Sequence, residues 1–225
     1  AVKASLVDES NQSSTATVSN NIFVTGARNT ISWNAVSGAA RYRVYKDQGG
    51  IFGYIGETTT TSIVDDNIGP DFSQTPPIHE NDFVGSNNYP GAVSYFEQRR
   101  VFAGTNNAPQ NMWMTKSGTE SNMSFGLPIR DDDRIEFRVA AREANTIRHI
   151  IPLTQMLLLT GSAEWRVTSV NNDAITPTSI SVKPQSYVGA DNSQPVIVNN
   201  SLVYAAARGG HIRELGYNWQ ANGFV

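Results

Sequence analysis

The sequence predicts a mainly β protein, and three features of its composition support this prediction. Only 16% of the 225 residues are charged, whereas helical proteins usually carry more Glu and Lys. The residues that favour strands, Val, Ile, Thr, Tyr and Phe, are spread along the whole chain. The 18 Gly and 10 Pro residues recur throughout and divide the chain into short segments.

The composition also excludes several kinds of function. The net charge is −3, and no stretch is basic enough to bind the nucleic-acid backbone, so we expect no specific nucleic-acid binding. This charge is still compatible with the passage of DNA through a neutral channel. The absence of Cys excludes disulfides and thiolate metal sites. No run of about 18 apolar residues occurs, so we expect no membrane-spanning segment.

Residues 1–20 form a polar N-terminal segment that is rich in Ser, Thr and Asn after Ser10. Such a composition is compatible with two structures, a weak edge strand or a flexible lead-in. The sequence alone does not choose between them.

Residues 21–68 predict a small sandwich module. The segment Thr30–Trp33 alternates apolar with polar residues, which places Ile31 and Trp33 on one face of a strand. A turn follows, and the next strand has Tyr42 and Val44 facing inward. Its other side chains are predicted to face outward: Arg41, Arg43 and Tyr45. A Gly-Gly turn and two further short strands complete the pattern, at residues 52–55 and 60–64.

The run from Ile31 to Tyr45 closely resembles the second and third strands of fibronectin type III modules. The resemblance implies that Trp33 packs between the two sheets of a sandwich. The module is incomplete, however, because no sixth or seventh strand of the family's character follows Asp65-Asp66. It has about 50 residues, against about 100 in a full sandwich. We therefore expect either that another segment completes the module or that it leans on a second domain.

Residues 69–90 form a linker rich in Pro and Asn. Proline disfavours both helices and central strands, so we predict an ordered linker or a wrap-around loop at a domain boundary. The prolines are Pro70, Pro76, Pro77 and Pro90.

Residues 91–225 predict three strand–turn–strand units. Their predicted strands lie at residues 92–96, 100–104 and 111–115, then 146–151, 155–160 and 163–168, then 195–198, 201–206 and 211–216. The spacing between successive units is roughly 45–56 residues, which is in the range of propeller blades. Closure needs roughly four to eight blades. We therefore predict a partial β-propeller-like domain and expect the chain to be a piece of a longer protein. Residues 139–144 are compatible with a helical turn or with a turn between strands.

Several segments of this half are similar to the tail-nozzle (tail tubular) proteins of short-tailed bacteriophages and prophages. The segments are Asn88–Pro90, Arg99–Thr105, Asp131–Asp133, Ile147-Arg148, Pro152-Leu153, Gly161–Trp165 and Lys183–Gly189. The resemblance implies a non-enzymatic structural part of a virion tail, made in the bacterial cytoplasm. It also implies assembly around the DNA exit channel with copies of itself or with other tail proteins.

The sequence offers no persuasive metal site. The three histidines, His79, His149 and His211, lie about 60–70 residues apart, and none has a second ligand nearby, as metal clusters usually do. The acidic run Asp131–Asp133 would suit a divalent cation by its oxygen content. Adjacent strand residues point to opposite faces, however, and arginines flank the run, so we predict a solvated turn with local ion pairs.

A paired-carboxylate hydrolase is the weakest of three functional hypotheses. Such an enzyme needs two acids about 5–9 Å apart, and any β protein of this size offers such pairs by chance. The candidates are Glu136, Glu164 and Glu214. No nucleophile elbow, phosphate-binding Lys loop or dinucleotide fingerprint occurs. We predict that the protein is not an enzyme and has no catalytic, cofactor-binding or metal-binding residues.

The aromatic residues support an alternative to the tail-assembly hypothesis, a module that binds glycans on the host surface. Trp113, Trp165 and Trp219 are its candidates, because aromatic faces stack on sugars. Trp113 and Trp165 occupy corresponding positions of two units, however, which favours a shared core.

A group of arginines could line an interface with a partner or a wall that faces DNA. Glutamates occur near them in the sequence, however, so ion pairs on strand faces are the simpler interpretation. These arginines are Arg99, Arg100, Arg138, Arg142 and Arg148, with Glu97, Glu136 and Glu143 as partners.

Overall fold

The computed structural model describes residues 2–5, 12–14, 17–18, 28–140, 145–170 and 174–225, and before residue 28 it describes the backbone alone. The described residues form strands and turns without a helix, which confirms the mainly β prediction. None of them therefore belongs to a helix able to cross a membrane. The chain divides into two compact units, residues 1–80 with 121–133 and residues 81–120 with 134–225.

The strands are short and follow one another closely along the chain. In chain order they are β1 (Val2–Ser5), β2 (Gln12–Ser14), β3 (Thr17–Val18), β4 (Asn29–Ser32), β5 (Arg41–Gln48), β6 (Ile51–Thr58), β7 (Ser62–Asp65), β8 (Ile78–His79), β9 (Ala92–Phe96), β10 (Arg99–Ala103), β11 (Asn111–Met114), β12 (Ser124–Phe125), β13 (Ile135–Arg138), β14 (Ile147–Pro152), β15 (Met156–Thr160), β16 (Glu164–Thr168), β17 (Ser181–Ser186), β18 (Val196–Val198), β19 (Ser201–Ala205), β20 (Ile212–Leu215), β21 (Tyr217–Asn218) and β22 (Gly223–Phe224).

Unit 1 contains a four-stranded sheet, a three-stranded sheet and a two-stranded ribbon, with antiparallel pairing in each. The sheets have the orders β2-β1-β5-β6 and β3-β4-β7, and β8 pairs with β12. The N-terminal segment therefore supplies strands to both sheets. Strands β2 and β3 are edge strands, which agrees with one of the two expectations for this segment. Strand β1 instead lies between β2 and β5, and it pairs with β5 from Val2↔Val44 to Ser5↔Arg41.

The described core of unit 1 follows the predicted alternation. Trp33, Tyr42, Val44 and Ile55 are buried together. Tyr45 was expected to face outward into solvent, but it is buried. It packs edge-on against Tyr54, with ring centroids 5.9 Å apart. The pairing of β5 with β6 shifts register between Val44 and Tyr45, so the regular alternation of the strand is interrupted at this residue.

Unit 2 is built from three antiparallel sheets and a terminal hairpin. We name these the first sheet (β13-β11-β10-β9), the second sheet (β14-β15-β16-β17) and the third sheet (β18-β19-β20), and β21 pairs with β22. Most neighbouring strands in each sheet follow one another in chain order, but β11 and β13 are joined by a long connection, residues 115–134, which includes β12 of unit 1. This confirms the three groups of strands that the sequence predicts.

The second sheet is buried on both faces. All five residues of β15 are buried, which explains their uninterrupted apolar sequence. One core joins the second sheet to the first through residues such as Met112, Leu158 and Trp165. The other core joins it to the third sheet through Leu157, Leu159, Leu202 and Tyr204. The three sheets therefore stack face to face.

Two strands of these sheets were not predicted. Strand β13 alternates Ile135 and Phe137 with polar residues, a pattern visible in the sequence but short and preceded by an acidic turn. Strand β17 contains Pro184, which the pairing tolerates because β17 is an edge strand. The candidate helical turn at 139–144 is not helical at 139 and 140, and residues 141–144 lie outside the described residues.

Two glycines explain why particular segments of unit 2 lie so close together. Gly104 has a φ of +65°, and a Cβ there would lie 2.4 Å from the Ile147 carbonyl oxygen. Gly189 has a φ of +79°, and a Cβ there would lie 2.3 Å from the Gly161 carbonyl oxygen. Both contacts join segments that are distant in the sequence, and a side chain at either glycine would force their backbones apart.

Candidate functional site

The outer face of the third sheet is an exposed apolar surface. Cross-strand pairs share a face, and the pairings Val196↔Val203 and Ala205↔Ile212 place these side chains together, opposite to the buried Leu202. Val198 lies on the same face by alternation. Ile212 is 78% exposed and Val196 is 57% exposed. Glu214 is paired with Val203 and lies on the same face, where it is exposed. We call the surface formed by Val196, Val198, Val203 and Ile212 around this carboxylate the outer apolar face.

The first sheet has an outer face of different character. Val93, Phe102, Trp113 and Glu136 lie in one cross-strand row. Phe83 covers the middle of the row, with its ring 5.1 Å from that of Phe102 and 5.3 Å from that of Trp113. Val93 remains exposed.

Beside that row, Tyr95 and Arg100 are paired across β9 and β10. The Arg100 guanidinium donates to the Tyr95 hydroxyl at 2.7 Å and to Glu120 at 2.7 Å. Tyr95 is exposed. This end of the stack therefore presents aromatic, basic and apolar groups together, unlike the outer apolar face.

A buried polar cluster lies between the second and third sheets. Glu164 is fully buried, and its carboxylate accepts hydrogen bonds from Tyr204 Oη at 2.9 Å and from the Ser186 hydroxyl. Burial and then the nearby Glu164 charge raise the pKa of Tyr204 far above its usual value. The phenol therefore stays protonated and donates. This arrangement links two sheets, and its groups are too enclosed to reach a substrate.

The tryptophans differ in their suitability for binding sugar. Trp113 and Trp165 are buried, as the repeat predicted, but they do not share a core. Trp165 belongs to the core between the first and second sheets, whereas Trp113 lies on the outer face of the first sheet beneath Phe83. Trp219 is 77% exposed, in the turn of the β21–β22 hairpin.

The three histidines lie in separate elements. His79 is exposed on β8, and His211 is exposed just before β20. His149 lies on β14, and its Nε2 is 2.9 Å from the Asp191 carbonyl oxygen. The structure does not bring these residues together on one strand or sheet.

The acidic run Asp131–Asp133 forms a turn, but its members have different roles. Asp131 and Asp132 are exposed, as predicted. Asp133 is buried, which differs from the predicted solvated turn. Its Oδ2 accepts the backbone N–H of Gly126 at 3.0 Å and that of Arg130 at 2.9 Å. The buried Asp133 carboxylate therefore stabilises the loop at residues 126–133 by accepting these two backbone hydrogen bonds.

The candidate carboxylates of a hydrolase lie on three different sheets or faces. Glu136 is on β13, where it accepts from Arg134 at 3.3 Å, and Arg134 also pairs with Asp82 at 2.6 Å. Glu164 is buried on β16, and Glu214 is exposed on β20. Their positions do not form a shared acidic pair.

Among the described residues, three of the candidate arginines donate hydrogen bonds to groups other than Glu97 and Glu136. Arg99 donates to the Thr115 carbonyl, Arg138 donates to Gln110, and Arg148 donates to the Ala190 carbonyl. Glu97 accepts from the backbone of Ile175 at 2.7 Å. Arg142 and Glu143 lie outside the described residues. These arginines support loops and strand ends.

A shallow cleft of about 470 Å³ lies beside β9 and β14, lined by Gly91–Val93, Thr146–Ile150, Asn192 and Gln194. No sequence pattern predicts this cleft, because its walls come from three separated segments. Two of its polar groups, Arg148 and His149, already contact backbone carbonyls. The cleft contains no carboxylate in its lining, so it lacks the acids of the hydrolase hypothesis.

Comparison with protein-family models gives no match for this chain, and comparison with curated proteins gives none either.

Proposed function

We propose that this protein is a non-enzymatic structural component of a phage or prophage tail. In this role it assembles with copies of itself or with other tail proteins around the DNA exit channel. The motif resemblance in residues 88–189 suggests the tail, and the outer apolar face carries the proposal that the protein assembles. Apolar patches that stay exposed on a folded protein commonly mark interaction surfaces.

The stack of sheets in unit 2 supports an assembling role physically. Its second sheet is stabilised by contact on both faces, so face-to-face sheet packing already operates within the chain. The third sheet repeats the buried arrangement on its inner face only. A partner sheet laid on the outer apolar face would bury it in the same manner. The stack corresponds in our proposal to blades of a propeller-like domain.

For unit 1 we propose a fibronectin type III-like sandwich of seven strands, β1 to β7. In that family the third strand lies beside the sixth, and the sixth beside the seventh. Strands β1 and β2 have these positions relative to β5. The sixth and seventh strands of the family would thus be supplied by the N-terminal segment, which precedes the other five strands in the sequence. A rigid module of this kind suits contacts with a neighbouring tail protein.

Light scattering coupled to size exclusion, with negative-stain images, tests the assembly. We expect large species with a central pore for the wild type and smaller species for Val196→Lys with Ile212→Lys. Val170→Lys is the matched control, because Val170 is an exposed valine outside the third sheet. A strict monomer at high concentration would contradict the proposal, as would a double variant that assembles like the wild type.

The exposed Trp219 favours a second candidate function, binding of host-surface glycan. Of the four tryptophans, which all lie in the described part of the chain, only Trp219 presents its ring to solvent. Tyr217 and Tyr187 are also exposed. Aromatic platforms of this kind stack on the apolar faces of sugars.

A glycan titration followed by tryptophan fluorescence tests this candidate. Quenching that is lost in Trp219→Ala and kept in Trp113→Phe would support a sugar platform at the hairpin. An unchanged emission spectrum across a glycan array would rule out this role for Trp219.

A further inference from the structure

Unit 1 contains a buried polar cluster in addition to its apolar core. Lys46 on β5 contacts Asp65 on β7, with 2.9 Å between Nζ and Oδ2. Lys46 Nζ also donates to the Ile68 carbonyl at 3.2 Å, and Asp65 Oδ1 accepts the Ile68 N–H at 2.8 Å. The Asp65 side chain is 4% exposed. A lysine amine is therefore held against a carboxylate in the interior.

A buried asparagine lies next to this pair. Asn29 on β4 is directly opposite Asp65 on β7, so both side chains share one face of the sheet. Opposed Cβ atoms on antiparallel strands are about 5 Å apart. Asn29 is buried, and among the described residues neither atom of its carboxamide has a hydrogen-bond partner. Leaving such groups unsatisfied in the interior is costly and calls for an explanation.

We propose that Lys46 and Asn29 form an intramolecular isopeptide bond, with Asp65 as the carboxyl group that transfers the protons. The three side chains come from three strands, and Lys46 belongs to a different sheet from Asn29 and Asp65. The cross-link therefore joins the two sheets of unit 1 covalently.

The chemistry balances without an oxidant, a metal or a further reactant. Asp65 takes a proton from the Lys46 ammonium, which frees the amine lone pair. The amine attacks Cγ of Asn29, the Nζ–Cγ bond forms, and the Cγ–Nδ2 bond breaks. The second amine proton passes through Asp65 to Nδ2, which leaves as ammonia. Asp65 retains one proton and is neutral, so the product contains no uncompensated buried charge.

The surroundings suit this reaction. The carboxamide and the acid lie on the paired strands β4 and β7, and the ion pair with Asp65 holds the amine from β5 beside them, so little orientational freedom is lost on approach. Burial limits access of water to Cγ and strengthens the polarising effect of Asp65 on the carboxamide. The new amide also replaces an unsatisfied group by one whose carbonyl accepts from the Asp65 acid.

Intact-mass spectrometry of the full 225-residue chain, after denaturation, tests the proposal. We expect a mass below that of the sequence by one ammonia. After trypsin, we expect residues 29–41 joined to residues 44–99 through Lys46, with no cleavage after Lys46. Lys46→Arg keeps the ion pair but cannot give this product, so its mass should equal that of its sequence, as should that of Asp65→Asn.

Lys183→Arg is the matched control, since Lys183 is exposed in unit 2 and its replacement should leave the ammonia deficit in place. Circular dichroism establishes that each sample is folded. A folded wild type of full sequence mass would overturn the proposal. So would an ammonia deficit that persists in Lys46→Arg, or a deficit of one water, which would identify Asp65 as the acyl donor. If a variant fails to fold, the presence or absence of the cross-linked peptide in the wild-type digest still tests the proposal.

Discussion

The two units of this protein differ in what stabilises their sheets. In the described part of unit 1, the apolar core has four buried residues, Trp33, Tyr42, Val44 and Ile55, and its interior also holds Asn29 and Asp65. In unit 2, fifteen buried residues join the first and second sheets, and eight join the second and third. Unit 1 thus depends more on strand pairing and polar contacts, whereas unit 2 depends more on apolar burial.

The largest expected effect comes from removing strands in unit 1. Deleting residues 1–14 removes β1 and β2, so β5 keeps β6 on one side but loses its partner strand on the other. We expect residues 28–68 to lose protection from hydrogen exchange and unit 1 to lose its cooperative unfolding. Protection in β15 should be unchanged. Preserved protection of residues 41–44 in the shortened chain would contradict the role assigned to β1.

The second effect concerns the apolar core of unit 2. Leu158 is fully buried at the centre of β15. Leu158→Ala should lower the free energy of unfolding of unit 2 by about 3 kcal/mol, because it removes buried methyl groups and leaves a cavity. Urea unfolding followed by circular dichroism measures this loss. Ile197→Ala serves as a control on an exposed strand position, and a comparable loss there would refute the importance of the central sheet.

A smaller effect is expected at the polar contact between the second and third sheets. Tyr204→Phe removes the hydroxyl that donates to the buried Glu164 carboxylate. Hydrogen bonds to charged groups contribute about 2 kcal/mol, so we expect a destabilisation of about that size in urea unfolding. Tyr187→Phe is the control, since Tyr187 is exposed. Equal unfolding curves for Tyr204→Phe and the wild type would show that this bond contributes nothing.

The smallest effect is a pH dependence in unit 1. Hydrogen bonds from the Ser73 hydroxyl and backbone, then from Gln74, lower the pKa of Asp71 below its ordinary value of 3.8. A lowered pKa means that the stabilisation is present above the ordinary value and is lost as the pH falls through the folded-state value. An NMR titration of the Asp71 carboxyl should show Ser73→Ala raising this pKa. Ser62→Ala should leave it unchanged, and a Ser73→Ala curve identical to the wild type would disprove the cause.

The predicted strands were mostly correct because alternation is a local property. The predicted strand at residues 41–46 lies within β5, the one at 52–55 lies within β6, and the one at 155–160 nearly coincides with β15. Trp33 is buried, as the resemblance implied. The turn glycines Gly49 and Gly50 have positive φ values, as a tight connection requires. The candidate surfaces were less predictable. The exposed positions of Val196 and Ile212 depend on whether another sheet covers them, and no local pattern reports that.

The sequence by itself determined the β class, the three groups of strands in residues 91–225 and the buried faces of the short strands. Each of these follows from the two-residue period of a strand and from local turn residues. Only the tertiary structure decided that β1 lies beside β5, that Glu164 is buried against Tyr204, and that Asn29, Lys46 and Asp65 share one interior. The physical reason is that strand pairing and burial join residues that are distant in sequence, and alternation carries no information about which strands will meet.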